Sequence, residues 1–203
     1  MYVTTQQSKY LKSKKENLQS DEAIVQLDFR ENFKYVIQDD IQQRFWYQSA
    51  VTLHPVMFYV KNNDKLIHKN YCIFSDDLKH DVPMVKTFIK KILQYIKDEF
   101  TSVKKVEFFS HGCGGQYKNC EVFNFLYHCQ QNYNLLITWN FFTTAHGKSA
   151  CDGIGGIIKR LATIESLKRP YNNHIISLIE LLKFCHENIQ SVLCVSVSLE
   201  EIE

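Results

Sequence analysis

The sequence has few of the residues that define several non-globular classes of protein. Its 203 residues include only 7 Gly and 3 Pro, too few for a collagen-like or a Pro/Gly-rich disordered chain. No apolar run approaches the roughly 18 uninterrupted residues of a membrane span, and the polar start has no apolar core of a secretory signal. We therefore expect a soluble intracellular protein, long enough to bury a core with 45% apolar residues.

Cysteine pairs at close spacing are also missing. The 7 Cys are an odd number, and no Cys-x2-Cys pair occurs among them. Reduced thiols are therefore favoured over a disulfide framework, since a disulfide scaffold belongs to secreted chains.

Charge and glycine are present but unevenly distributed. Four Lys and one Glu give residues 1–20 a charge of +3, whereas one Lys and five Glu give residues 171–203 a charge of −4. The net charge of +2 hides these opposite ends. All 7 Gly lie between Gly112 and Gly156, which predicts that the special loops of the fold lie there.

The hydrophobic period predicts several strands followed by alternating helices and strands. Strands are expected over Ala23–Phe29, within Arg44–Val60 (with Pro55 at an edge or bulge), and over Asn70–Ser75, Lys105–Ser110, Leu135–Thr143 and Ser191–Ser198. Helices are expected after an Asp81 N-cap and over Tyr117–Gln131, Asp152–Leu167 and Tyr171–Asn188. Asn62-Asn63-Asp64 is predicted to form a turn.

This order predicts an α/β fold that resembles the ribonuclease H-like fold: a mixed sheet, antiparallel strands first and α/β alternation afterwards, with helices on both faces. We expect three parts: a polar lead-in over 1–20, truncated, disordered or the end of a helix; the core over 21–170; and a C-terminal helix, short strand and acidic tail over 171–203.

Three places carry residues suited to chemistry. Asp28 ends the first buried strand, where an unpaired carboxylate is costly to desolvate. The run from Phe108 to Asn119 is a strand, a glycine-rich turn and the start of a helix. Such a junction either aims backbone N–H groups at a ligand or is a tight connection between strand and helix with no ligand. The run from His146 to Gly156 leads into a helix that three glycines weaken by roughly 1 kcal/mol each. The glycines would permit either close packing of this helix on the sheet or close approach of its backbone to a partner.

Two widely separated acids, Asp28 and Asp152, suit two-metal phosphodiester chemistry. In such sites carboxylates hold two divalent ions around the reacting phosphate, and hard oxygen ligands suit Mg2+. The sequence therefore raises the hypothesis of a nuclease-type centre at the strand ends.

Five segments resemble a transposase-derived protein family of animal genomes with a ribonuclease H-like, DDE/D-type core related to integrases. The segments are LDFRENF, AVTLHPVMFYV, SDDLKHD, FFSHGCGGQYKN and TTAHGKSACDGIGGIIKRLA, and the resemblance covers roughly residues 23–170. It implies catalytic and metal-binding roles for Asp28 and Asp152, with Mg2+ or Mn2+ as the family's ion. The motif residues are Gly112, Gln116, Asn119, His146 and Gly153.

The resemblance also implies an acid at position 111, where this chain has His111. A neutral imidazole brings no charge and prefers softer ions than Mg2+, so we expect metal-dependent cleavage to be lost or reduced. DNA is the implied partner, the nucleus the implied location, and an upstream DNA-recognition module is expected to be missing. Residues expected to meet phosphates are Lys118, Lys148, Lys159, Arg160, Lys168 and Arg169.

Three alternatives stay open from the residues alone. One is an active divalent-metal nuclease or transposase that uses His111 as a ligand or general base. Another is a zinc-binding interaction module, although the usual ligand spacing is missing. The residues that would serve it are His111, Cys113, Cys120, His128, Cys129, His146 and Cys151. The third is Cys–His nucleophile chemistry at Cys113 or Cys151.

Overall fold

A computed structural model describes residues 2–29, 32–36, 49–142, 150–170 and 173–202. The helices are α1 (Tyr2–Glu16), α2 (Val82–Glu99), α3 (Cys120–Tyr133), α4 (Ala150–Lys168) and α5 (Leu178–Asn188), and a 3-10 turn covers Leu199–Glu201. The strands are β1 (Glu22–Leu27), β2 (Phe33–Lys34), β3 (Ala50–Asn62), β4 (Lys65–Ser75), β5 (Lys105–His111), β6 (Leu136–Phe142) and β7 (Val192–Ser196). No helix of the described ranges is both long and apolar enough to cross a membrane.

Seven strands form one mixed sheet in the order β6-β5-β1-β3-β4-β7, and β2 pairs with β3. β1, β3 and β4 are antiparallel neighbours, whereas β5, β6 and β7 join by parallel pairing. The predicted ribonuclease H-like arrangement, with antiparallel strands followed by α/β alternation, is confirmed. The turn that joins β3 to β4 is also confirmed, because Asn63 and Asp64 have positive φ angles of 47° and 60°, as a tight hairpin turn requires.

Helices cover both faces of the sheet, as predicted. The core on one face joins α2 and α3 to alternate residues of the central strands, and Phe58, Phe88 and Phe108 are its large buried side chains. The opposite face divides into two clusters. One packs α4 and α5 on β3, β4 and β7, and the other packs α1 near β1 and β5.

Residues 2–16 are a helix, whereas the sequence predicts a polar lead-in. Leu11 and Leu18 are buried against the sheet, and Lys14 Nζ lies 2.7 Å from Glu107 Oε1. The Lys15 ammonium lies 3.6 Å from the centre of the Tyr59 ring, and burial lowers its pKa to about 8. These contacts join residues that are distant in sequence, so the spacing of apolar residues within 1–20 does not predict them.

Most element boundaries differ from the predicted ones by a few residues or less, and three of the larger differences are as follows. β4 begins at Lys65 rather than Asn70, because its polar first half pairs with β3 in the hairpin. α5 begins at Leu178 rather than Tyr171, because the Ser177 hydroxyl caps it by accepting the N–H of Glu180. In the predicted strand region Arg44–Val60, β3 begins at Ala50, and residues 44–48 lie outside the described ranges.

Pro55 lies in an inner strand, so its predicted position at an edge or bulge is wrong. β3 lies between β1 and β4, and Pro55 pairs with Cys72 of β4. Its carbonyl accepts the N–H of Asp28 just beyond the last β1 pair, Leu27 with Val56. The missing N–H of proline therefore faces the end of β1, where the ladder stops and no donor is needed.

Replacing Asp81 tests the predicted start of α2. The Asp81 side chain accepts the N–H of Met84 at 3.3 Å, and Pro83 lies in the first turn, so the predicted N-cap is confirmed. We expect Asp81→Ala to lower the free energy of unfolding by about 1 kcal/mol and Asp81→Asn to lower it less. Urea unfolding measures both, and equal stabilities for Asp81→Ala and the unmodified chain would contradict the role.

Candidate functional site

Asp28 and His111 meet at the edge of the sheet where β1 and β5 end. Nε2 of His111 lies 3.2 Å from Oδ2 of Asp28, and the two side chains are 30% and 16% exposed. The parallel register pairs Gln26 with Phe109, so two residues further on Asp28 stands beside His111. The pairing of two residues 83 positions apart in sequence is a direct result of the parallel strands.

A buried polar pair lies behind this edge. His54 Nε2 and Tyr117 Oη are 2.9 Å apart and both residues are buried. Burial lowers the pKa of His54 to about 3, so the imidazole is neutral near pH 7. Burial, with the nearby Asp28 charge as a second cause, raises the pKa of Tyr117 well above its usual value.

Phe29, the residue after Asp28, ties the pair at the edge to this interior. Its ring centre lies 4.5 Å from that of His54 and 5.6 Å from that of Tyr117. It also stacks on His80 at 4.5 Å, and His80 Nε2 lies 2.8 Å from Asn32 Oδ1. The strand end that carries Asp28 is therefore fixed by the packing of Phe29 and by the bond from the Asp28 N–H to the Pro55 carbonyl.

Sequence reasoning did not single out His54 or Tyr117. The available signal was a histidine inside the otherwise apolar strand AVTLHPVMFYV, because a buried imidazole needs a partner. The partner itself lies 63 positions further along the chain.

The glycine-rich turn after β5 is held by the Cys113 carbonyl, which accepts three backbone N–H groups of residues 116–118, and by the side chain of Asn119. Its side-chain oxygen accepts the N–H of Val122 and caps α3, while its Nδ2 donates to the carbonyls of Gly114 and Gln116. A Cβ added at Gly112 would lie 3.5 Å from Phe141 Cβ, an ordinary contact. The Cys113 carbonyl and the Asn119 side chain therefore shape the turn.

α4 begins beside the same end of β1. Cys151 is fully buried and its thiol donates to the carbonyl of Gln26 at 3.3 Å, and Asp152 follows it in the first turn. A buried, hydrogen-bonded thiol is typical of a structural cysteine rather than of a nucleophile. A Cβ at Gly153 would meet nothing within 4 Å, so packing does not require a glycine there.

The expected phosphate-contacting residues are placed as follows. Lys118 is exposed in the turn after His111, with its ammonium 5.7 Å from the Phe141 ring centre. On α4, Lys159 is partly buried and Arg160 is exposed. Lys168 ends the helix, and Arg169 forms an ion pair with Glu165 at 3.1 Å. His146 and Lys148 lie outside the described residues.

The donor set does not fit a pair of Mg2+ ions. Oδ2 of Asp28 is already in contact with the His111 imidazole, and that second donor is a nitrogen rather than the hard oxygen that Mg2+ prefers. Within the residues that the structure describes, no three His, Cys, Asp or Glu side chains are grouped to hold a metal ion.

Comparisons with known proteins give a family and a distant structural likeness. The family model described as "Domain of unknown function (DUF8701)" matches residues 7–203. No curated protein matches the chain. The human cytomegalovirus terminase nuclease domain, solved Mn-soaked and inhibitor-bound, resembles this chain with a TM-score of 0.35 and 9% sequence identity. The likeness covers 92% of this chain and 70% of that chain.

Proposed function

This chain belongs to the domain family DUF8701, and from its geometry together with the resemblance of its segments to transposase-derived proteins we propose that it is a transposase-derived, ribonuclease H-like domain that binds nucleic acid and has lost metal-dependent strand cleavage. The observation that carries the proposal is the contact of His111 with Asp28, at 3.2 Å, at the carboxyl edge of the sheet. In open α/β sheets, ligands bind at the edge where the strands end.

The loss of cleavage follows from what His111 replaces. The transposase resemblance implies an acid at this position in addition to Asp28 and Asp152, with Mg2+ or Mn2+ held by these carboxylates. Here the imidazole takes the place of one carboxylate and contacts Oδ2 of Asp28, so the site has less negative charge to attract a divalent ion. Asp152 is proposed to be the third member of the ancestral set, since α4 begins beside Gln26 of β1.

Retained nucleic-acid binding is supported by an exposed cation beside this edge. Lys118 follows His111 by seven residues, is exposed, and has its side chain next to Gly112. Arg160 is also exposed, further along α4. Such side chains bind phosphates without reading sequence, and each released counterion makes the affinity depend on salt. The same proposal implies a nuclear location, because the partner would be chromosomal DNA.

Lys118→Ala tests the binding half of the proposal, with Lys65→Ala as the matched control. Lys65 is also exposed but lies in the β3–β4 hairpin, at the opposite end of the sheet from Asp28. We expect Lys118→Ala to weaken DNA binding and to reduce the slope of log K against log salt by about 1. Fluorescence anisotropy with one labelled duplex at several salt concentrations measures this.

Two outcomes would contradict the proposal. The first is an unmodified chain that binds neither duplex nor single-stranded DNA at low salt. The second is Mg2+-dependent nicking by the unmodified chain that Asp28→Ala abolishes, which would favour the active nuclease with His111 as a ligand.

A further inference from the structure

A cavity of about 290 Å³ lies between α1 and the ends of β5 and β6. We propose that it binds a nucleobase of a single strand whose backbone passes the Asp28–His111 pair, an inference that rests on the proposed function. The cavity is lined from α1 by Gln6, Gln7 and Tyr10, and from the strands by Phe109, Asn140 and Phe142. Its volume is near the lower end of the range for ligand pockets, about 300 Å³, which suits one small planar group.

The walls of the cavity are aromatic. Tyr10 is 46% exposed, and its ring centre lies 6.2 Å from that of Phe109, which lies 5.8 Å from that of Phe142. Phe109 is buried beneath the cavity, whereas Tyr10 and Phe142 are at least partly exposed, so Tyr10 and Phe142 offer the ring faces on which a base stacks. Such stacking contributes about 1–3 kcal/mol per base and tolerates any base, because every base has a π-face.

The rim of the cavity carries side-chain amides. Gln6 and Asn140 each present a carbonyl and an NH2 group, the acceptor and donor pair that the edges of bases recognise. A third amide has a different role, because Gln7 Nε2 donates to the backbone carbonyl of Phe141 at 2.9 Å. This bond ties α1 to β6 and fixes the distance between the two walls.

The register places the cavity beside the edge pair. His111 is paired with Phe142 across β5 and β6, and Asp28 stands beside His111 on the other side. Since paired residues of neighbouring strands share a face and strands are about 4.8 Å apart, Asp28, His111 and Phe142 form one row. The cavity therefore begins about 5 Å from His111 and about 10 Å from Asp28, so a base of a strand crossing this edge reaches it.

The charge of α1 favours a nucleotide over a neutral apolar ligand. Residues 1–20 carry four Lys and one Glu, and Lys9 is exposed three residues after Gln6, on the adjoining face of the helix. A cation beside a planar aromatic slot suits a base that is joined to a phosphate.

Tyr10→Ala tests the proposal, with Tyr127→Ala as a control. Tyr127 is also exposed, at 57%, but lies on α3. The probe is a short single-stranded oligonucleotide containing 2-aminopurine, compared with a duplex of the same sequence. We expect Tyr10→Ala to weaken single-strand binding by about 5-fold or more and to abolish quenching of 2-aminopurine. Duplex affinity should be unchanged, and Tyr127→Ala and Tyr10→Phe should bind like the unmodified chain.

The outcomes separate this inference from the proposed function. If DNA binds but Tyr10→Ala and Tyr127→Ala have equal affinities, the base site is wrong and the proposed function stands. Equal loss of single-strand and duplex binding in Tyr10→Ala would also overturn the base site. If the unmodified chain binds neither form of DNA, the proposed function fails and the inference fails with it.

Discussion

His111→Asp is expected to create a divalent-metal site and Mg2+-dependent nicking of DNA that the unmodified chain lacks. The substitution removes the imidazole that contacts Asp28 Oδ2 at 3.2 Å and puts a second carboxylate on the neighbouring strand end. Two carboxylates at one site repel each other unless a cation or a proton lies between them. Mg2+ relieves that repulsion and prefers oxygen ligands, so the variant gains the charge that the edge lacks.

Metal binding and cleavage are measured separately. We expect millimolar Mg2+ to raise the melting temperature of His111→Asp but not of the unmodified chain, because a ligand at 100 times its Kd stabilises by about 2.7 kcal/mol. Conversion of supercoiled plasmid to the nicked form measures cleavage. His111→Asn is the matched control, since it removes the imidazole without adding charge and should show neither effect.

The Mg2+ binding and the nicking expected of His111→Asp both require Asp28. Asp28→Ala combined with His111→Asp should lose both the Mg2+-dependent stabilisation and the nicking. If His111→Asp alone melts identically with and without Mg2+, then the imidazole is not what separates this edge from a metal site. In that case the account of lost cleavage fails while nucleic-acid binding is unaffected.

The sequence predicts well the strands that carry the candidate site. Apolar runs locate β1 and β5, and the resemblance implies that positions 28 and 111 share one site; the parallel pairing of the two strands places both at one edge. α2 was also predicted from local signals, because the Asp81 cap and Pro83 precede a regular apolar face.

Residues that depend on distant partners were harder to predict. α1 is held by buried leucines and by the Lys14–Glu107 ion pair, which spans 93 positions, and its own polar period gives no strong helix signal. The role of Asn119 is a similar case. The motif names it as a site residue, but its hydrogen bonds to the turn appear only when the backbone is known.

Acid is expected to destabilise the fold through His54, because its buried ring is neutral in the folded chain. Its pKa in the folded chain is about 3, against an ordinary value of 6.5, because the ring is buried. The unfolded chain therefore binds the extra proton first. The contribution of His54 is fully present above about pH 6.5 and is lost as the pH falls toward 3, with a slope of about 1.4 kcal/mol per pH unit.

His54→Gln isolates this contribution, because other titrating groups cancel in the comparison and the amide still bonds to Tyr117 Oη. We expect the advantage of the unmodified chain over His54→Gln in urea unfolding to fall by about 3 kcal/mol between pH 6.5 and pH 4. Tyr117→Phe should behave differently. It leaves His54 Nε2 without the partner at 2.9 Å and costs about 1–3 kcal/mol at pH 7, yet it keeps the pH slope because the ring stays buried. Parallel pH curves for the unmodified chain and His54→Gln would show that His54 has the same pKa in the folded and the unfolded chain. The account of a buried, neutral His54–Tyr117 pair would then be wrong.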